Sequence, residues 1–224
     1  MLLDDVISLL REVSRNAHVV DNERIDDRIW ESFIMLKRNL YIKNYINEKG
    51  TLEQNNLQFE ILETEIYNSA LTLGGISIGE KILRTEACPT LVEGRSGVAV
   101  YELTNPDMLS KTIACVPMDR LRWCGNGKTN KDTVFAAFYD GRFYIKSRSN
   151  KERPLTHLRV VGIFADPTQV STYNRLTDDY PLNDYQVEYM KNAILQQDFA
   201  FIEKSKADVI NDASGNLEPI QRNG

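Results

Sequence analysis

The segment Arg122-Trp123-Cys124-Gly125-Asn126-Gly127-Lys128-Thr129 ends in Gly-Lys-Thr, the close of a phosphate-binding P-loop. That motif needs a glycine where this chain has Arg122, and a following helix whose N-terminal amides hold the phosphate. Here Asn130, Lys131 and Asp132 lead toward a β hairpin instead, so the segment reads as a basic loop. Metal chemistry lacks ligands: the two histidines, His18 and His157, lie in different elements, and no HExxH or clustered Cys/His joins them. His157 opens a strand beside Arg159 and reads as a surface or packing residue. Gly94-Arg95-Ser96-Gly97 is one residue short of a nucleophile elbow. Cys124 lies among basic residues, which would lower a thiol pKa, but it stands alone. Asp178 and Asp179 are adjacent and read as a turn rather than a facing acid pair. The chain is therefore predicted to be a non-enzyme, with no catalytic residue, cofactor or metal.

Nucleic-acid binding is the stronger chemical possibility. Between positions 120 and 153, Arg120, Arg122, Lys128, Lys131, Arg142, Lys146, Arg148, Lys151 and Arg153 interleave with Trp123, Phe138, Tyr139, Phe143 and Tyr144. Cations beside aromatic faces suit phosphate contact with base stacking. Yet the whole chain is acidic, with a pI near 5.2, and aromatic rings are what a half-buried sheet requires. The net charge of −5 conceals a segregation. Residues 110–160 carry eleven Lys/Arg against four Asp/Glu, residues 57–109 three against eight, and residues 178–224 four against nine. Such separation fits an electrostatically matched partner or a second copy of the chain.

The elements that must position these groups follow from periodicity. The chain has 224 residues, 42% hydrophobic and 26% charged, which is enough for a sizeable core. Three cysteines without CxxC spacing predict free thiols and a reducing compartment. No signal peptide or membrane span is predicted. A first helix is predicted from Leu3 to about Arg15, with Val6, Leu9, Leu10 and Val13 on one stripe. A second should run from Asp26 or Asp27 to about Glu48 and stop at Gly50, with Ile29, Phe33, Leu36 and Leu40 as its core face. Strands are expected from about residue 57. The clearest is the hairpin turning at Asp140-Gly141, a type I′ pair. A strand at Leu155–Phe164 should end on Asp166-Pro167, and a last helix should start at Asn183 with a capping box to Gln186. The fold class is α+β: an N-terminal helical hairpin and a C-terminal helix packed together, with a central, mostly antiparallel β module. The expected divisions are 1–56 for the N-terminal helices and 57–167 for the β module. Residues 168–206 would carry the C-terminal helix and 207–224 a flexible arm.

In this order the pieces resemble head-to-tail connector (adaptor or ring) proteins of crAss-like and related tailed podoviral phages. The pieces are Asp27-Arg28-Ile29-Trp30 with Lys37-Arg38, then Leu62-Glu63-Thr64-Glu65, Gly79 to Arg84, and Pro89. They continue with Tyr139–Ile145, Val161-Gly162-Ile163-Phe164-Ala165-Asp166-Pro167, Tyr180-Pro181-Leu182, and Asp208 to Asp212. The resemblance spans most of residues 24–212, departing from the expected pattern at Val161 and Ala165. It implies a structural virion protein, made in the host cytoplasm, that forms a dodecameric ring under the portal and extends the DNA channel. Its implied partners are itself, the portal protein, neighbouring tail or ring proteins, and double-stranded DNA passing without sequence-specific contact; no membrane is involved. The residues assigned to subunit or portal contact are Arg122, Lys128, Lys131, Arg142, Lys146, Arg148, Asp208 and Asp212. The alternative is a nucleic-acid-binding accessory protein using region 120–153.

Overall fold

Residues 3–34, with the helix that begins after Asn183, form one of two compact units in the computed structural model; residues 35–182 form the other. The structure describes residues 1–17, 26–68, 72–73, 76–77, 81–95, 97–107, 111–124, 133–147 and 154–196. In the first unit, helix α1 (Leu3–Ala17) buries Leu3, Val6, Ile7 and Leu10. It packs on the C-terminal helix, and Arg11 pairs with Asp27. Of the predicted α1 stripe, Leu9 and Val13 are only half-buried. The C-terminal helix (Asp184–Leu195) has the predicted capping box. Asn183 Oδ1 accepts from the Gln186 amide at 2.8 Å, and the Asn183 amide donates to Gln186 Oε1 at 2.9 Å. Val187, Met190 and Ile194 are buried, as the periodicity requires.

Helix α2 (Asp27–Lys49) corrects the predicted core face. Its buried positions are Trp30, Ile34, Arg38 and Ile42, while Ile29, Leu36 and Leu40 are exposed. A stripe at every fourth residue was hidden because one of its members is an arginine. Gly50, at φ 68°, ends the helix as expected.

The second unit is built on one seven-stranded sheet. In chain order the strands are β1 (Gln58–Asn68), β2 (Thr72–Leu73), β3 (Ile76–Ser77), β4 (Lys81–Thr85), β5 (Glu93–Gly94) and β6 (Gly97–Val98). Then come β7 (Val100–Thr104), β8 (Ala114–Cys115), helix α3 (Met118–Leu121), β9 (Phe135–Tyr139), β10 (Arg142–Lys146) and β11 (His157–Gly162), with the C-terminal helix as α4. The sheet order is β7-β11-β1-β4-β10-β9-β8, antiparallel except for β8–β9. The long β1 joins its halves, pairing with β11 over residues 58–63 and with β4 over residues 64–68. One face carries the main core, including Leu62, Leu83, Leu103, Phe143, Ile145, Leu158 and Val160. Over the other face, Leu121 of α3 packs with Ile82, Ala137 and Tyr144. The β9–β10 hairpin turns at Asp140 (φ 49°) and Gly141 (φ 69°), the positive angles that a type I′ turn demands.

Candidate functional site

The basic cluster divides when it is folded. Leu121 anchors α3 to the sheet, and the turn after it presents Arg122 and Trp123 outward. Trp123 is 65% exposed, and the Arg122 guanidinium stands 4.9 Å from its ring centroid. This turn is fixed by the backbone: the Trp123 amide donates to Arg120 O at 2.9 Å and the Cys124 amide to Leu121 O at 3.2 Å. The Cys124 thiol donates to Arg120 O at 3.4 Å. Burial pushes that thiol up, and the nearby charges of Lys146 and Arg120 only partly offset it. This corrects the lowered thiol expected from the surrounding sequence. Arg120, Arg122, Trp123 and Lys146 thus gather around the end of α3 and the far end of β10. Arg142 stands at the start of β10 and donates to Thr85 O at 3.1 Å, which makes it a hairpin fastener. Lys128, Lys131, Arg148, Asp208 and Asp212 lie outside the described residues, as do the P-loop-like glycines and His18.

The acidic turn forms one wall of a groove. Asp178 closes its own loop by accepting from the Asn174 amide at 2.8 Å and from Thr177 Oγ1 at 2.9 Å. The loop is laced to β1 by Thr172, whose hydroxyl donates to Phe59 O at 2.6 Å, and by buried Glu60. Glu60 accepts from the Ser171 amide at 2.6 Å and from the Ser171 hydroxyl. Between loop and strand lies an open groove of about 430 Å³, lined by Phe59, Thr172, Tyr173, Asp178, Asp179 and Tyr180 among others. Asp179 is exposed at its rim.

The motif stretch that dominates the sequence is architectural. Gly162 sits at a β irregularity where a Cβ would lie 2.7 Å from Ala99 O. Phe164 is fully buried and bridges to Leu91. Asp166 caps the following 3₁₀ turn by accepting from the Thr168 amide at 3.0 Å, with Pro167 at its first position. Arg38, fully buried, reaches this segment from α2. Its Nε donates to Pro181 O and its Nη1 to Phe164 O, both at 2.9 Å. Asn39 Nδ2 donates to Ala165 O at 2.9 Å. Burial pulls the guanidinium down to about 10, while Tyr180 and Asp166 favour its charge. Elsewhere Glu65 and Arg84 meet at 2.6 Å across β1 and β4. Pieces scattered through the sequence therefore touch in space.

The family model for phage tail ring protein 2 matches residues 2–218. The chain belongs to that family. No curated protein matches it. Membership makes this ring protein a structural component of a bacteriophage tail. Among the other thiols of the ring protein, Cys88 is buried, which pushes it up to about 12, whereas Cys115 is exposed. Among the described residues, no three His, Cys, Asp or Glu side chains gather in a way that could hold a metal. No described helix is long and apolar enough to cross a membrane. Sequence reasoning missed two residues of the ring protein, Arg38 and Glu60, whose partners lie over a hundred positions away. It named Trp123 only among the rings interleaved with the basic residues of 120–153, and the exposed anchor after a short helix was not read.

Proposed function

We propose that this ring protein is a non-enzymatic subunit of a dodecameric ring at the phage head-to-tail junction, docking to the portal and extending the DNA channel. The observation that carries the reading is the match along nearly the whole chain to a tail ring family. Basic and acidic surfaces at separate places in the second unit support it. A closed ring joins one face of each copy to a different face of the next, and opposite charge favours that pairing. In this reading Arg122 and Lys146, with Lys128, Lys131, Arg148, Asp208 and Asp212, serve subunit or portal contacts. Arg142 joins them in this reading while its bond to Thr85 O also fastens the β9–β10 hairpin.

Negative-stain electron microscopy of the purified protein, alone and with the portal of the same phage, tests the reading. Twelve-fold rings in either sample are expected; monodisperse monomers that ignore the portal would refute it. One observation favours a second reading, since the exposed Arg122–Trp123 pair could stack a base against a cation. A free subunit acting in that way would bind DNA with an affinity that falls steeply in salt.

A further inference from the structure

The exposed Trp123 and the acidic groove are complementary in three ways. The first is chemical: Arg122 stands against the indole and Arg120 is exposed in the helix turn before it, whereas Asp178 and Asp179 line the groove. The second is shape. A large, 65% exposed ring stands on a backbone-fixed turn, and the groove, at about 430 Å³, has Phe59, Tyr173 and Tyr180 in its wall. Aromatic anchors with neighbouring arginines are the usual energetic centre of protein interfaces.

The third is position. Leu121 packs on Tyr144, which pairs with Arg84, which in turn pairs with Glu65 of β1. The groove begins at Leu57–Phe59, six residues back along β1. Leu121, two residues before Trp123, packs on Tyr144 of β10 and Ala137 of β9, two to three strands across from β1, so this turn starts roughly 10–14 Å across the sheet and 20 Å along it from the groove. That is several times the reach of one side chain, so the two surfaces of one copy cannot meet each other. They can meet between copies, and two different faces in contact generate a head-to-tail arrangement, which closes into a ring where the rotation per copy divides a full turn.

We infer that the ring closes through Trp123 and Arg122 of one copy seated in the Asp178–Asp179 groove of the next. This rests on the ring reading above and names its subunit contact. The test uses two variants of the full chain, Trp123→Ala and Asp179→Lys, whose side chains are exposed. Both should retain the circular dichroism spectrum of the parent and unfold in one cooperative transition. By mass photometry each should need at least a tenfold higher concentration to assemble. Mixed together they keep one good knob and one good groove, so they should give a species of twice the 25.7 kDa subunit mass and no ring. Rings of Trp123→Ala at the parental concentration would overturn the inference. Retained rings that have lost only portal or DNA binding would overturn it too, by assigning Trp123 to another partner. A mixture that stays monomeric where the parent assembles would equally sink it. A parent that never assembles, alone or with the portal, refutes the ring reading itself.

Discussion

Replacing Arg38 measures how much of the second unit depends on a buried cation. Arg38 donates to two main-chain oxygens, Phe164 O and Pro181 O, which Arg38→Ala would leave unpaired in the interior. Each orphaned carbonyl costs about 1–3 kcal/mol. The lost Cγ and Cδ methylenes add about 2 kcal/mol. Against this, the fall of the Arg38 pKa from its ordinary value to about 10 corresponds to about 3 kcal/mol of charge burial that alanine no longer carries. The balance is a loss of about 3 kcal/mol, or about 6–12 °C in Tm for a chain of this size. Arg38→Met keeps the stem and should lose about 1 kcal/mol. The depressed pKa still lies far above neutrality, so the guanidinium is charged in folded and unfolded chains alike between pH 6 and 9. The difference between parent and variant should be flat there, and should grow in favour of the parent only as pH rises toward 10, where the unfolded chain holds its proton more tightly. Thermal melts followed by circular dichroism provide the assay. An Arg38→Ala variant melting within 2 °C of the parent, or an Arg38→Met variant more stable than it, would show that the cation does not hold the segment.

Gly162→Ala would place its Cβ 2.7 Å from Ala99 O, a backbone atom that cannot rotate away, so a loss of at least about 2 kcal/mol in urea unfolding is expected. Gly141→Ala, at φ 69° in open space, should cost only about 1 kcal/mol. Cys88 stays protonated to about pH 12 when folded but ionises near 9 when unfolded, so stability falls as pH rises through that window. Relative to Cys88→Ala, the parent should lose about 1.4 kcal/mol per pH unit above 9, as read by unfolding at several pH values. Native protein at pH 8 should leave Cys88 unmodified by a thiol reagent until it is denatured.

What could be read in the sequence was local. A type I′ turn needs two consecutive residues at positive φ, and Asp140-Gly141 announces it without knowledge of anything distant. The Asn183–Gln186 capping box and the Asp166-Pro167 turn are equally self-contained. The buried face of α2 was not legible, because the residue at its centre is Arg38. Only the main-chain oxygens of Phe164 and Pro181, far along the chain, make its burial tolerable. The same holds for β1, where Glu60 points into the core and Phe59, 38% exposed, points out. An alternation rule based on hydrophobicity alone turns that strand over. The groove shares this difficulty, since residues 57–59 and 172–182 form it together.

The contacts also show what a motif so prominent in the sequence does in the fold. Gly162 gives way to a backbone, Phe164 fills the core, Asp166 caps a turn, and the main-chain oxygens of Phe164 and Ala165 receive Arg38 and Asn39. Each of these groups helps to hold one segment in place. A subunit that must present a surface to a neighbour needs such a rigid frame behind it. On this view the segment that ends β11, with Arg38, holds the loop that forms the groove. A change in the frame, such as Gly162→Ala, would then disturb assembly without touching either surface.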